Sequence, residues 1–220
     1  MAEPIKQSIK LEQLDSSGGE TFAQLYAIYA ASIAAREQKR RDRLAAMVGT
    51  PEYRVFVAKA DALVLGFSIL YLPAAADFAL LEYMAVAPGE RNRGLGAELF
   101  RWTVNRAVSP AGRTLPVVLE IDSDREASSD RAMRTRRERF YRRLGCLRIE
   151  GLHYLMPLAG DGPPPEMDLF VYAAEPIGAV ARDELGRWLE TIYRGVYRCS
   201  PDDSRIAQML ADLPDPVRLE

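Results

Sequence analysis

Two cysteines, one histidine and four lysines among 220 residues are few, and each shortage closes off a class of chemistry. A structural zinc centre needs about four Cys or His ligands, which Cys146, Cys199 and His153 cannot supply. A helix carrying two zinc-binding histidines is excluded by the count, so no metal is expected. A Ser-His-Asp or Cys-His triad would have to use His153, and the sequence has no Gly-x-Ser-x-Gly elbow. The Gly-x-x-x-x-Gly-Lys-Ser/Thr phosphate loop is missing as well. No window reaches the roughly 18 uninterrupted apolar residues of a membrane-spanning helix, and Met1 to Lys10 lacks the apolar centre of a secretory leader. The sequence therefore reads as cytoplasmic, with no membrane partner. A net charge of −2 gives no global pull toward nucleic acid, so an anionic ligand must be met by a local patch.

What is present is an ordinary globular balance, 48% apolar and 27% charged, and the length favours one core with an extension. Hydrophobic periodicity predicts a strand over Ile5 to Leu14, a helix over Thr21 to Ala35 and a second helix around Leu44 to Val48. Tyr53 to Ala60 and Leu63 to Leu72 read as a hairpin about Asp61-Ala62. Phe78 to Ala87 is nearly all apolar and reads as a central strand buried on both faces. A helix over Gly94 to Val108, a strand over Leu115 to Ile121 and an arginine-rich helix over Asp130 to Leu144 follow, the last stopped by Gly145. Two more β-like runs, Leu147 to Met156 and Leu169 to Ala174, flank the loop Gly160 to Pro165. An amphipathic helix from Ile177 to Val196 and a short one near Ser204 to Leu213 close the chain. The expected class is α/β, a mixed, mostly antiparallel sheet flanked by helices, with residues 1–175 as the main domain and 176–220 as a helical extension on that domain or on a partner subunit.

One segment carries chemistry. In Leu81-Glu82-Tyr83-Met84-Ala85-Val86-Ala87-Pro88-Gly89-Glu90-Arg91-Asn92-Arg93-Gly94-Leu95-Gly96 a strand runs through a glycine-bearing loop into a helix. The first amides of a helix have no internal partners and the helix dipole is positive there, so this end favours phosphate. Gly94 and Gly96 let backbone approach an anion, and Arg91 and Arg93 add charge and donors.

Arg91-Asn92-Arg93-Gly94-Leu95-Gly96 resembles the Arg/Gln-x-x-Gly-x-Gly/Ala signature of the GCN5-related N-acetyltransferases (GNAT), which bind acyl-coenzyme A. Phe140-Tyr141-Arg142-Arg143-Leu144-Gly145-Cys146 is similar to that family's Tyr-x-x-x-Gly-Phe segment. The resemblance covers roughly Ile5 to Ala174 and implies an enzyme that transfers acetyl from acetyl-coenzyme A to an amine of a small-molecule or peptide acceptor, by direct attack. It implies that the backbone of Met84, Ala85 and Val86 pairs with the pantetheine arm and that Arg91, Asn92, Arg93, Gly94, Leu95 and Gly96 hold the pyrophosphate. A strand amide near Met84 would stabilise the oxyanion. Tyr141 would be the general acid toward the leaving thiolate, since a phenol near pKa ~10 keeps its proton at neutral pH. The family often has asparagine and a small residue where this chain has Arg134 and Arg137. Eight arginines against three acids between Arg125 and Arg143 make a local +5, and Arg134 and Arg137 are candidates to meet coenzyme A phosphate.

An acceptor amine must lose a proton before it attacks, and a carboxylate is the usual base. Glu82 shares a strand face with Met84 and Val86 by simple alternation and is the first candidate. Glu120, on one face with Asp122 in Val117 to Asp122, is the second. A non-catalytic acyl-coenzyme A sensor and an interaction protein built around the C-terminal helix are the rival readings, and that helix's apolar face makes a homodimer an expectation.

Overall fold

A computed structural model of the chain describes residues 8–75, 77–125, 130–158 and 166–220. Its architecture is a mixed, mostly antiparallel sheet flanked by helices, with further helices toward the C-terminus. The contacts divide the chain into two compact units, residues 1–72 with 81–106, and residues 73–80 with 107–220. None of the described helices is long and apolar enough to cross a membrane.

The first unit contains β1 (Ile9–Gln13), α1 (Glu20–Ser32), a 3-10 turn (Ala35–Glu37), α2 (Arg41–Met47), β2 (Tyr53–Ala60), β3 (Leu63–Tyr71), the greater part of β4 (Ala79–Val86) and α3 (Leu95–Val104). Strands β1, β2, β3 and β4 lie side by side in chain order. Strands β2 and β3 form the expected hairpin, Tyr53 opposite Tyr71 and Ala60 opposite Leu63, with a register shift at Ala58–Lys59. Its turn places Asp61 at φ 53°, a left-handed conformation that aspartate tolerates better than most residues. Alternation along the hairpin then sorts the side chains. Val55, Val57, Phe67 and Ile69 are buried with Phe22, Leu25 and Tyr29 of α1 and Leu44 and Met47 of α2. Ala58, Ala60 and Leu65 belong to a separate cluster with Leu95 of α3. Each fully buried leucine- or phenylalanine-sized chain contributes about 1.5–3 kcal/mol to holding the helices on the sheet. A buried Ser68–Thr103 hydroxyl pair at 2.6 Å ties α3 to β3.

The second unit contains β5 (Val117–Asp122), α4 (Arg131–Arg143), β6 (Leu147–Arg148), β7 (Tyr154–Leu155), β8 (Glu166–Tyr172), β9 (Ala179–Val180), α5 (Arg182–Gly195), α6 (Ser204–Leu210) and β10 (Val217–Arg218). Strand β8 is its spine: β5 pairs antiparallel along one edge, and β6 and β7 both pair antiparallel with it. Strands β9 and β10 form a separate two-stranded ribbon. On α5 the residues Leu185, Trp188, Leu189, Ile192 and Tyr193 are all buried. The Trp188 indole donates to Asp77 Oδ1 at 2.9 Å and its ring lies 5.5 Å from that of Phe78.

Several expectations need adjustment. The predicted strand Leu147 to Met156 is two short strands separated by a turn in which Gly151 has φ 76°. In β4 only Ala79, Leu80 and Leu81 are buried, while Glu82 to Val86 are partly exposed. The apolar residues of α5 that suggested a homodimer are buried within the chain. The strand start at residues 5–7 and the Gly160 to Pro165 loop lie outside the described residues.

Candidate functional site

In the first unit, β4 leads through a short 3-10 turn, Pro88–Glu90, into α3. The Ala87 amide donates to Leu65 O at 2.8 Å, which pins the end of β4 to β3. Gly66 permits this approach, since a Cβ there would stand 2.9 Å from the Ala85 carbonyl oxygen. The loop then turns through two left-handed residues, Asn92 at φ 67° and Gly94 at φ 88°. Gly94 is the N-cap of α3, and no side chain caps that helix end. A Cβ on Gly94 would meet no atom within 4 Å, so the cap opens onto free space. An uncapped, glycine-led helix start with exposed Arg91, Asn92 and Arg93 around it suits an anionic pyrophosphate. Arg91 also braces the loop, since its Nε donates to Val86 O at 3.2 Å and its Nη2 to Ser32 Oγ at 3.3 Å. Arg93 pairs with Glu90 at 3.0 Å and remains largely exposed.

Glu82 lies deeper in the same unit. Its side chain is only 2% exposed, and its carboxylate is ion-paired to the Lys39 ammonium, itself 11% exposed. Lys39 belongs to the segment between α1 and α2. The same ammonium lies 3.4 Å from the Tyr83 hydroxyl, which in turn donates to Glu37 O at 3.1 Å. The Tyr53 phenol is pushed far up from its ordinary range, first by burial and then by the negative charge of Glu82. Consecutive strand residues should point to opposite faces, yet Glu82 and Tyr83 both reach Lys39. Ala85 and Ala87 pack with the α1 cluster, while Val86 packs with the α3 cluster. The expectation that Glu82 shares its face with Val86 is therefore corrected: Glu82 sits among Tyr53, Tyr83 and Lys39.

In the second unit, Glu120 on β5 accepts a hydrogen bond from the Tyr154 hydroxyl of β7 at Oε1. The Tyr197 hydroxyl, just beyond α5, lies 2.9 Å from Oε1 and 2.8 Å from Oε2. Burial and the Glu120 charge hold the Tyr154 phenol well above its ordinary range. Two residues along, Asp122 is ion-paired with Arg137 of α4. Arg134 is tied to Asp130 at 3.1 Å and donates to Ser123 O at 3.1 Å. Both candidate phosphate ligands on α4 thus hold partners within their own unit. Tyr141, on the last turn of α4, is half-buried, with its pKa pushed up to about 12 by burial while the Arg137 charge pulls the other way. Cys146 is buried and its thiol is raised to about 12, which leaves it unreactive. His153 is exposed just before β7 and lines a cavity of about 260 Å³ with Gln208, Met209 and Asp212.

Sequence reasoning missed Lys39 as the partner of Glu82, and Tyr154 and Tyr197 as the partners of Glu120. Lys39 lies in a charge-rich stretch, Arg36 to Arg43, that carries no local signal of a buried partner, and Tyr197 is 77 residues from Glu120.

Residues 51–145 match the family model of the acetyltransferase (GNAT) domain. The chain has the GNAT fold. A GNAT-family protein from Bacteroides thetaiotaomicron superposes with a TM-score of 0.69 at 21% identity, covering 87% of this chain and 99% of that one. An aminoglycoside 6'-N-acetyltransferase complexed with coenzyme A gives 0.57 at 14% identity, over 76% and 98%. NAA60 from Arabidopsis thaliana in complex with acetyl-CoA gives 0.53 at 15% identity, over 77% and 100%. No curated protein matches the sequence. The matched stretch runs from just before β2 to the stop of α4, and so contains the α3 cap, Glu82, Glu120 and Tyr141.

Proposed function

We propose that the protein is an acetyl-coenzyme A-dependent N-acetyltransferase acting on a primary amine by direct attack. The observation that carries the reading is the open, uncapped N-terminus of α3, with Gly94 at φ 88° and Arg91 and Arg93 beside it, inside a stretch that matches the GNAT family model. Solved GNAT structures hold coenzyme A or acetyl-CoA, and the residues of this cap fit such a group. Bound acetyl-coenzyme A supplies an activated acyl carbon and a thiolate leaving group. The amides from Arg93 to Gly96 hold the pyrophosphate, and the Met84 to Val86 backbone orients the pantetheine arm.

Of the two carboxylates, Glu120 is assigned as the base that removes the proton of the acceptor amine. Glu120 is partly exposed and held in orientation by tyrosine donors, whereas the Glu82 side chain is only 2% exposed and ion-paired to Lys39. Tyr141 keeps its proton at every physiological pH, because burial raises it to about 12. A phenol that weakly acidic serves better as a hydrogen-bond donor to the departing sulfur than as a source of a fully transferred proton, given a thiol pKa of about 8.5. The acceptor class is a cationic amine that can surrender a proton to a carboxylate. Structural relatives include an enzyme named for aminoglycosides and one named for a ribosomal-protein alanine, so both small-molecule and peptide amines belong in the screen.

Calorimetric titration with acetyl-coenzyme A tests the cap. Wild type should bind in the micromolar range, and Gly94→Glu, which adds a negative charge and strains a left-handed position, should bind at least a hundredfold more weakly with its fold intact by circular dichroism. Equal binding by both proteins would remove the acetyltransferase reading.

A further inference from the structure

We infer that the C-terminal segment helps build the acceptor site, with Tyr197 as a positioning residue that, together with Tyr154, fixes the Glu120 carboxylate to receive the proton of a cationic amine. This rests on the assignment of Glu120 as the base. A glutamate's last torsion is soft, so an isolated carboxylate rotates through many orientations. Here the Tyr197 hydroxyl sits astride it, 2.9 Å from one oxygen and 2.8 Å from the other, while Tyr154 donates to Oε1 from β7. Two donors arriving from different elements define the carboxylate plane.

The segment that brings Tyr197 there is itself anchored. Tyr193, one turn earlier on α5, donates its hydroxyl to Leu155 O, next to Tyr154 in the chain. Its ring packs edge-on to Tyr154 at 6.3 Å and to Tyr197 at 6.5 Å. Arg205 lies 5.3 Å over the Tyr193 ring and is held by Asp203. Immediately after Tyr197 the backbone reverses through Arg198 at φ 60°, a left-handed conformation that an arginine adopts at a cost. Cys199 N then donates back to Tyr193 O at 2.9 Å, closing the turn. A turn strained at the residue after the hydroxyl, and closed behind it, is built to aim Tyr197.

The described groups around Glu120 include Tyr154 of β7 and Tyr193 and Tyr197 of the α5 end, with Cys199, Asp203 and Arg205 acting on those tyrosines and the Asp122–Arg137 pair two residues along β5. Leu169, its partner on β8, carries no charge. Removing only the Tyr197 hydroxyl leaves all of these in place and withdraws a hydrogen bond from the charged form of Glu120, which raises its pKa.

The test is Tyr197→Phe in the full chain, read three ways. Acetyl-coenzyme A affinity and melting temperature should remain close to wild type. The Glu120 carboxyl, followed by carbon-13 NMR on the protein without acceptor, should titrate about one pH unit higher. Thiol release from acetyl-coenzyme A with spermidine, an aminoglycoside and a peptide with a free N-terminus should fall roughly tenfold in kcat, with the acidic limb of the pH profile moved upward. A hydroxyl that only staples the extension would lower the melting temperature and leave both the carboxyl titration and the acidic limb where they were, and that result overturns the inference. A shifted titration with unchanged turnover shows that Glu120 is not the base and removes both readings. Wild type that binds acetyl-coenzyme A and releases thiol with none of the amines removes the enzyme reading and this inference with it.

Discussion

Two glutamates on neighbouring stretches of sequence, each within an apolar strand, meet opposite environments. Glu82 is shut away with a lysine, its side chain 2% exposed and its charge answered by another charge. Glu120 is answered by phenols, one from β7 and one from the segment after α5. A buried ion pair is weak evidence for net stabilisation, but breaking it by removing one partner leaves an uncompensated charge and is costly. A carboxylate that accepts hydrogen bonds from neutral donors is held in orientation and favoured in its charged form. The same residue type is a buried ion-pair partner in the first unit and, in the function proposed above, the base in the second.

The sharpest way to break this contrast is to make both glutamates neutral and compare. Glu120→Gln should lower amine-dependent thiol release by roughly 10²–10⁴-fold with acetyl-coenzyme A affinity unchanged, the range expected on losing a general base. Calorimetry and a thiol-release assay on the same preparations check it. If Glu82→Gln produces that kinetic loss with full stability, and Glu120→Gln does not, the two assignments exchange places.

The next largest effect concerns stability. Lys39→Met should destabilise the fold by about 3–5 kcal/mol, because it strands the Glu82 carboxylate in a buried setting. The double variant Lys39→Met with Glu82→Met should recover most of that loss, since two apolar chains of similar volume replace the pair. Urea unfolding of the two single variants and the double variant measures the coupling, and additive losses would show that the pair is not a unit.

The contrast also marks where sequence reading stops. The hairpin was legible because two β-rich runs, Tyr53 to Ala60 and Leu63 to Tyr71, flank a turn that aspartate can make, and α4 was legible because Gly145 at φ 90° ends it. The glycine-bearing turn into α3 was legible because a local motif encodes it, and Gly94 caps that helix at φ 88°. Glu82 was named from sequence but placed on the wrong face, since alternation fails where Glu82 and Tyr83 both reach Lys39. Tyr197 lies 77 residues from Glu120, and no local pattern announces a contact at that separation. The two-residue strands β9 and β10 exist only through their pairing with each other, so propensity has nothing to read there.

The smallest expected effect is alkaline, and it sharpens the contrast from the side of the phenols. Burial raises Tyr141 to about 12 and lifts Tyr53, Tyr154 and Tyr193 as well, so the folded state holds these protons more tightly than the unfolded chain does. Between the unfolded value near 10 and the folded values, the native state binds more protons, so stability must fall as pH rises through that window and be fully present below it. Urea midpoints measured from pH 9 upward should therefore decline above pH ~10. Tyr141→Phe should flatten the decline between about 10 and 12, measured relative to its own midpoint at neutral pH. A slope identical to wild type would mean that Tyr141 is solvated enough to titrate like a free phenol, and its assignment as a proton-holding hydrogen-bond donor would lose its physical basis.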